Sequence, residues 1–133
     1  LKNLFRFKHL FLSAFFLAMM TVLVGDADAQ TGRTKTIRFE RGKYSAVLKN
    51  AVVRGTADRY IVRAKKGQTM SVKVMSVENN ARFTVYFSGE QESLESSEEA
   101  SRWTGKLSGD NDYVIVVSPT RGNATYTLTV SVR

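Results

Sequence analysis

Arg59-Tyr60-Ile61-Val62-Arg63-Ala64-Lys65-Lys66-Gly67-Gln68-Thr69-Met70-Ser71-Val72-Lys73-Val74-Met75 decides the fold class. Tyr60, Val62 and Ala64 fall on one side of an extended chain, and Met70, Val72 and Val74 do the same after a polar break. A period of two marks half-buried strands, because successive side chains of a strand point to opposite faces. Lys65–Gln68 reads as a hairpin turn, with Gly67 free to take positive φ.

The same alternation continues in both directions. Upstream, Thr36-Ile37-Arg38-Phe39-Glu40 alternates and Arg41-Gly42 turns it; Tyr44-Ser45-Ala46-Val47-Leu48 follows, then a connection through Arg54-Gly55-Thr56. Downstream, Glu78-Asn79-Asn80 is a turn, after which Phe83, Val85 and Phe87 oppose Thr84, Tyr86 and Ser88. Tyr113-Val114-Ile115-Val116-Val117 is continuously apolar, as a central strand covered on both faces would be. Tyr126, Leu128, Val130 and Val132 alternate to the end. Seven to eight short strands with no convincing helix predict an all-β domain, an antiparallel β-sandwich of jelly-roll-like type. The only proline, Pro119, is expected in a loop. One stretch breaks the pattern. Gly89–Ser101 holds Glu90, Glu92, Glu95, Glu98 and Glu99 with Leu94 as its one large apolar residue, and reads as a mobile acidic loop.

The N-terminus follows a different rule. Lys2, Arg6 and Lys8 precede an apolar run from about Leu10 to Val24, and Asp26-Ala27-Asp28-Ala29 supplies a small-x-small step. That is the layout of a secretory signal helix, cleaved after Ala29. The expected organisation is a signal peptide over 1–29, a flexible lead-in over 30–35 and a sandwich domain over 36–133. The run is shorter than the ~20 residues a span needs, so no stable membrane span is expected after cleavage. The destination is the periplasm or the exterior. No cysteine is present, so burial alone must hold the exported domain together.

Composition bears on chemistry next. The one histidine, His9, falls in the signal segment, and without His or Cys the usual nucleophilic triads and His-containing zinc sites are unavailable. Paired carboxylates could come from the Glu-rich segment, but glycosidase pairs need rigid placement across a cleft. Asp110-Asn111-Asp112 is too short for a calcium site and reads as a turn. The expectation is a protein that is not an enzyme and holds no cofactor and no metal. Charge is uneven: thirteen Lys and Arg against three acids from Gln30 to Arg82, then four against seven from Phe83 to Arg133. An exported basic half attracts anionic lipid, anionic glycan or an acidic protein, and nucleic acid is not an expected partner.

Two features are candidate binding sites. Thr120-Arg121-Gly122-Asn123 joins two strands, so a rigid scaffold would present it, and Arg121 offers a planar fork of donors suited to carboxylates. Trp103, beside the acidic segment, is either a glycan-stacking platform or a core residue.

Taken together, Ile37-Arg38-Phe39-Glu40-Arg41-Gly42-Lys43-Tyr44-Ser45-Ala46, Asp58 through Gln68, and Tyr113 through Arg121 with the closing Tyr126 strand carry a family resemblance. The chain resembles the bacterial periplasmic inhibitors of g-type (goose-type) lysozyme, which are small secreted β-sandwich proteins. The Ala64-Lys65-Lys66-Gly67-Gln68 turn is also similar to that of pre-peptidase C-terminal type sandwiches. The first resemblance implies an inhibitor whose polar loop plugs the substrate cleft of a g-type lysozyme. It implies Arg121 as the principal contact, with Thr120, Asn123 and Tyr60 as neighbours. The alternative is a non-catalytic carbohydrate- or envelope-binding module, its partner a cell-envelope glycan.

Overall fold

The structure is a computed structural model that describes residues 32–133. The signal segment expected over 1–29, its expected cleavage point and the first residues of the expected lead-in lie outside the described residues. Eight strands follow in order: β1 (Thr34–Ile37), β2 (Ser45–Val52), β3 (Asp58–Ala64), β4 (Thr69–Ser76), β5 (Ala81–Phe87), β6 (Arg102–Lys106), β7 (Asn111–Pro119) and β8 (Ala124–Val132). Residues 34 and 35, read above as lead-in, therefore belong to a strand. Pro119 closes β7 rather than standing in the loop beyond it.

The strands form two four-stranded sheets, ordered β1-β3-β7-β5 and β2-β8-β4-β6. Each successive strand crosses to the other sheet, so no two consecutive strands pair. This alternation is the jelly-roll-like sandwich expected from the sequence. It also corrects the hairpin at Lys65–Gln68, because β3 pairs with β1 and β7 while β4 pairs with β6 and β8. The local signal was sound, and Gly67 has φ 86°. A tight turn simply does not reveal whether the chain returns beside itself or crosses a core. All pairings are antiparallel except β1 with β3, which is parallel.

The period-2 pattern explains the interior. Tyr60 and Val62 from β3, Phe83 and Val85 from β5, and Tyr113, Ile115 and Val117 from β7 face Met70 and Val72 from β4 and Leu128 and Val130 from β8. Each of these side chains is at most 1% exposed. Burying a Val, Leu or Ile fully contributes about 1.5–3 kcal/mol, so this layer can stabilise the domain without disulfides. The β7 run is central in its sheet but is covered on one face only. Val114 and Val116 are half-buried on the outer face, where no third layer of the described residues lies over them.

The acidic segment is a second correction. It is tied along the free edge of β5 by isolated bridges at Tyr86–Ser93 and Phe83–Ala100. The fully buried Ser97 hydroxyl bonds the amide and carbonyl of Val85 at 3.2 and 3.1 Å, standing in for a backbone partner. Edge groups that would otherwise await another strand are thereby covered. The five glutamates point outward from a pinned segment.

Candidate functional site

At one end of the sandwich three connections meet: 53–57 between β2 and β3, 77–80 between β4 and β5, and 120–123 between β7 and β8. Asn80 sits among them, 2% exposed. Its side-chain amide donates to the carbonyls of Arg121 (3.1 Å) and Asn123 (3.0 Å), and its own carbonyl accepts from the Thr120 amide at 2.8 Å. The Ser76 hydroxyl holds Asn80 in turn, accepting from its amide at 2.9 Å. From the other side, the Arg54 amide donates to Asn123 Oδ1 at 2.9 Å. The loop is fixed at both shoulders.

Gly122 forms the tip. Its φ is +54°, a left-handed backbone that costs other L-residues about 1–2 kcal/mol. Thr120, Arg121 and Asn123 are all exposed there. The Arg121 guanidinium donates one bond to the Glu78 carbonyl at 2.6 Å, which orients it while leaving its remaining donors for a partner. The arrangement is a short, stiff, cationic projection. A partner carboxylate would meet an arginine whose rotamer is already restricted, which lowers the entropic cost of binding.

The structure thus brings Thr120, Arg121 and Asn123 together, but not Tyr60 or Trp103. Tyr60 has no exposed surface, so a partner cannot touch it. Its hydroxyl belongs to a buried chain of donors: Asn50 Nδ2 donates to Tyr60 at 2.9 Å, Tyr60 meets Tyr126 at 2.5 Å, and Tyr126 donates to Asp58 Oδ2 at 2.6 Å. Arg33 closes the ring, its amide donating to Asp58 Oδ1 at 3.0 Å and its guanidinium donating to Asn50 Oδ1. Burial, and then the bond to Asp58, push the Tyr126 hydroxyl far above the ordinary tyrosine range, which keeps it a donor.

Trp103 is 7% exposed and lies inward on β6. Its ring covers Gly105, where a Cβ would come within 2.2 Å of the indole, and its Nε1 donates to the Glu95 carbonyl at 2.9 Å. With its ring committed to the core, it offers no platform to a sugar. Asp110 and Asp112 serve separate purposes. Asp110 accepts from the Lys66 amide at 2.6 Å, and Asp112 pairs with Arg63 at 3.1 Å.

Sequence reasoning missed Asn80 and Arg54. Asn80 was visible only as a turn residue, since Asn is common in turns whether or not its side chain braces a distant loop.

No family profile and no curated protein matches the chain. Solved structures do. The chain is similar to a periplasmic lysozyme inhibitor of g-type lysozyme from Aeromonas hydrophila, with a TM-score of 0.66 and 28% identity over 76% of this chain and 96% of that one. It is similar to the inhibitor of the same description from Salmonella Typhimurium, with a TM-score of 0.63 and 21% identity over 77% and 99% of the two chains. A pre-peptidase C-terminal domain of a Bacillus anthracis collagenase shares the fold at a TM-score of 0.56 and 13% identity, over 76% and 95%. The resemblance read from the sequence is thus found again in three dimensions. The two neighbours with the higher scores are inhibitor proteins rather than enzymes, and the non-enzymatic reading of this chain stands with them.

Proposed function

We propose that the chain is a periplasmic inhibitor of g-type lysozyme that sets the Thr120–Asn123 loop into the enzyme's substrate cleft. The observation that carries this reading is the braced, exposed Arg121 on a fold that matches nearly the whole length of the Aeromonas hydrophila inhibitor. Arg121 supplies a forked cation for a carboxylate in the cleft, and Thr120 and Asn123 flank it with polar groups. No covalent step is needed, because occupancy of the cleft excludes the glycan.

The test is inhibition of g-, c- and i-type lysozymes by the purified protein. Selective loss of g-type activity is expected, and undiminished g-type activity at inhibitor excess overturns the proposal. Arg121→Ala is expected to weaken binding by about 2 kcal/mol or more, as for an arginine hot spot, without lowering the melting temperature. An unchanged dissociation constant removes Arg121 from the contact while leaving inhibition standing.

A further inference from the structure

One sheet carries unpaired cations that the loop does not explain. The sheet β2-β8-β4-β6 contains no Asp or Glu in any of its four strands. Its charged residues are Lys49, Lys73, Arg102 and Lys106, all cationic. Strand parity places all four on the outer face, opposite the core-facing Leu48, Val72, Val74 and Trp103. Among the described residues none of the four forms an ion pair; the two pairs present are Lys43–Glu40 and Arg63–Asp112. Of the acids among the described residues, Asp58 and Asp112 lie in the other sheet, five glutamates follow its β5 edge, and Glu40, Glu78 and Asp110 lie in connections.

The register sharpens this. Lys73 stands directly across from Arg102 in the β4–β6 ladder. Like charges in that position destabilise a sheet, so the pair is a cost to the fold that solubility does not require. Between these cations and Lys49 runs a row of hydroxyls on β8: Thr125, Thr127, Thr129 and Ser131. Alternate residues of a strand are about 7 Å apart, so the row is a regular ladder of donors and acceptors. A second hydroxyl pair, Ser71 and Thr104, meets across β4 and β6 at 3.0 Å. Val47 and Met75 flank the row, 62% and 58% exposed.

We infer that this face binds an acidic polysaccharide. The cations meet its carboxylates, the hydroxyl ladder meets its hydroxyls, and Val47 and Met75 pack against the apolar faces of its rings. Three gaps between strands of about 4.8 Å make the face about 14 Å wide, enough for two or three sugar residues crossing it. The inference needs neither Arg121 nor lysozyme, and stands or falls separately from the inhibitor reading. It also moves any glycan contact from Trp103, which is buried, to the opposite surface of the same sheet.

The test uses the full chain, retained on immobilised polygalacturonate and co-sedimented with purified peptidoglycan sacculi. Retention at low salt and release at high salt are expected, because exposed charges are screened within about a Debye length. Replacing Lys49, Lys73, Arg102 and Lys106 with Gln is expected to weaken retention at least tenfold. Replacing Lys35, Arg38, Arg41 and Arg59 with Gln removes the same charge elsewhere and is expected to change it less than threefold. Lys73→Thr alone, which removes one of the four cations and with it the like-charge pair, keeps the fold and is expected to give a smaller but measurable loss. Equal losses in the two fourfold variants would reduce the effect to net charge and overturn the assignment. Stronger binding to anionic lipid vesicles or to duplex DNA than to polygalacturonate would also overturn it, as would no retention at low salt.

Discussion

Asp58 and Asn80 are buried polar residues at the same end of the sandwich, each 2% exposed, yet the fold uses them differently. Asp58 ends a chain of hydroxyl and amide donors that runs between the two sheets through Tyr126, Tyr60 and Asn50. Asn80 spends its side chain upward, on the carbonyls of an exposed loop. Both are satisfied, and among the described residues no buried side-chain polar atom lacks a partner. The difference teaches where each loss should appear. Removing a group whose partners are in the core lowers stability, whereas removing one whose partners are in a loop also disturbs what the loop does.

The largest expected effect is that of Asp58→Ala. It leaves the buried Tyr126 hydroxyl without an acceptor for its proton and removes the partner of the part-buried Arg33 amide, at a cost of about 3 kcal/mol. A urea melt measures it, and inhibition per folded molecule should not change. Asn80→Ala comes next, at about 2 kcal/mol for two lost, part-buried bonds to loop carbonyls. Here g-type lysozyme inhibition should weaken as well, because Arg121 is no longer held. Full inhibition in Asn80→Ala, or weakened inhibition in an intact Asp58→Ala, erases the distinction between the two residues.

Neither residue's role could be read in the chain itself. The alternation around Val62, Val72, Ile115 and Leu128 specified strands and their inner faces, because burial acts on each residue locally. Sheet assignment is a long-range choice, and Lys65–Gln68 fits a hairpin as well as it fits a crossing. The exposed loop position of Arg121 was legible because an arginine beside a glycine between two alternating runs has few places in a core. Tyr60 misled for the converse reason, since a tyrosine on an alternating strand can turn its hydroxyl to a partner or into the core. What buried it was Tyr126 and Asp58, distant in sequence and close only once the sheets stack. Glutamates likewise concealed Ser97, whose hydroxyl ties the acidic segment to β5.

Alkaline pH sharpens the Asp58 side of the comparison. The Tyr126 hydroxyl has a folded-state pKa raised by burial above its unfolded value of 10.0. Such a group contributes its stability fully below pH ~10 and loses it as pH rises above that, because the unfolded chain gives up a proton that the folded one keeps. The loss is about 1.4 kcal/mol per pH unit from this residue. Tyr126→Phe removes the titration from both states. The stability gap between wild type and this variant is therefore expected to narrow from about pH 10 upward, while titrations common to both cancel. A gap that stays constant from pH 8 to 11 would sink the assignment.

Gly122 tests the Asn80 side with the smallest effect and the most specific one. A methyl group added there meets no atom within 4 Å, so Gly122→Ala changes backbone energy and little else. At φ +54° the expected cost is about 1 kcal/mol, provided that the loop cannot relax to a negative φ. Asn80 is what prevents relaxation, because it grips the carbonyls on both sides of the tip. In an Asn80→Ala background the loop is released, and the same substitution should cost close to nothing. The double-mutant cycle is therefore expected to show a coupling of about 1 kcal/mol, well above the few tenths that separate additive from coupled sites. Additive costs would mean that the tip is held by its own chain, and that Asn80 fills a turn without bracing the loop that carries Arg121.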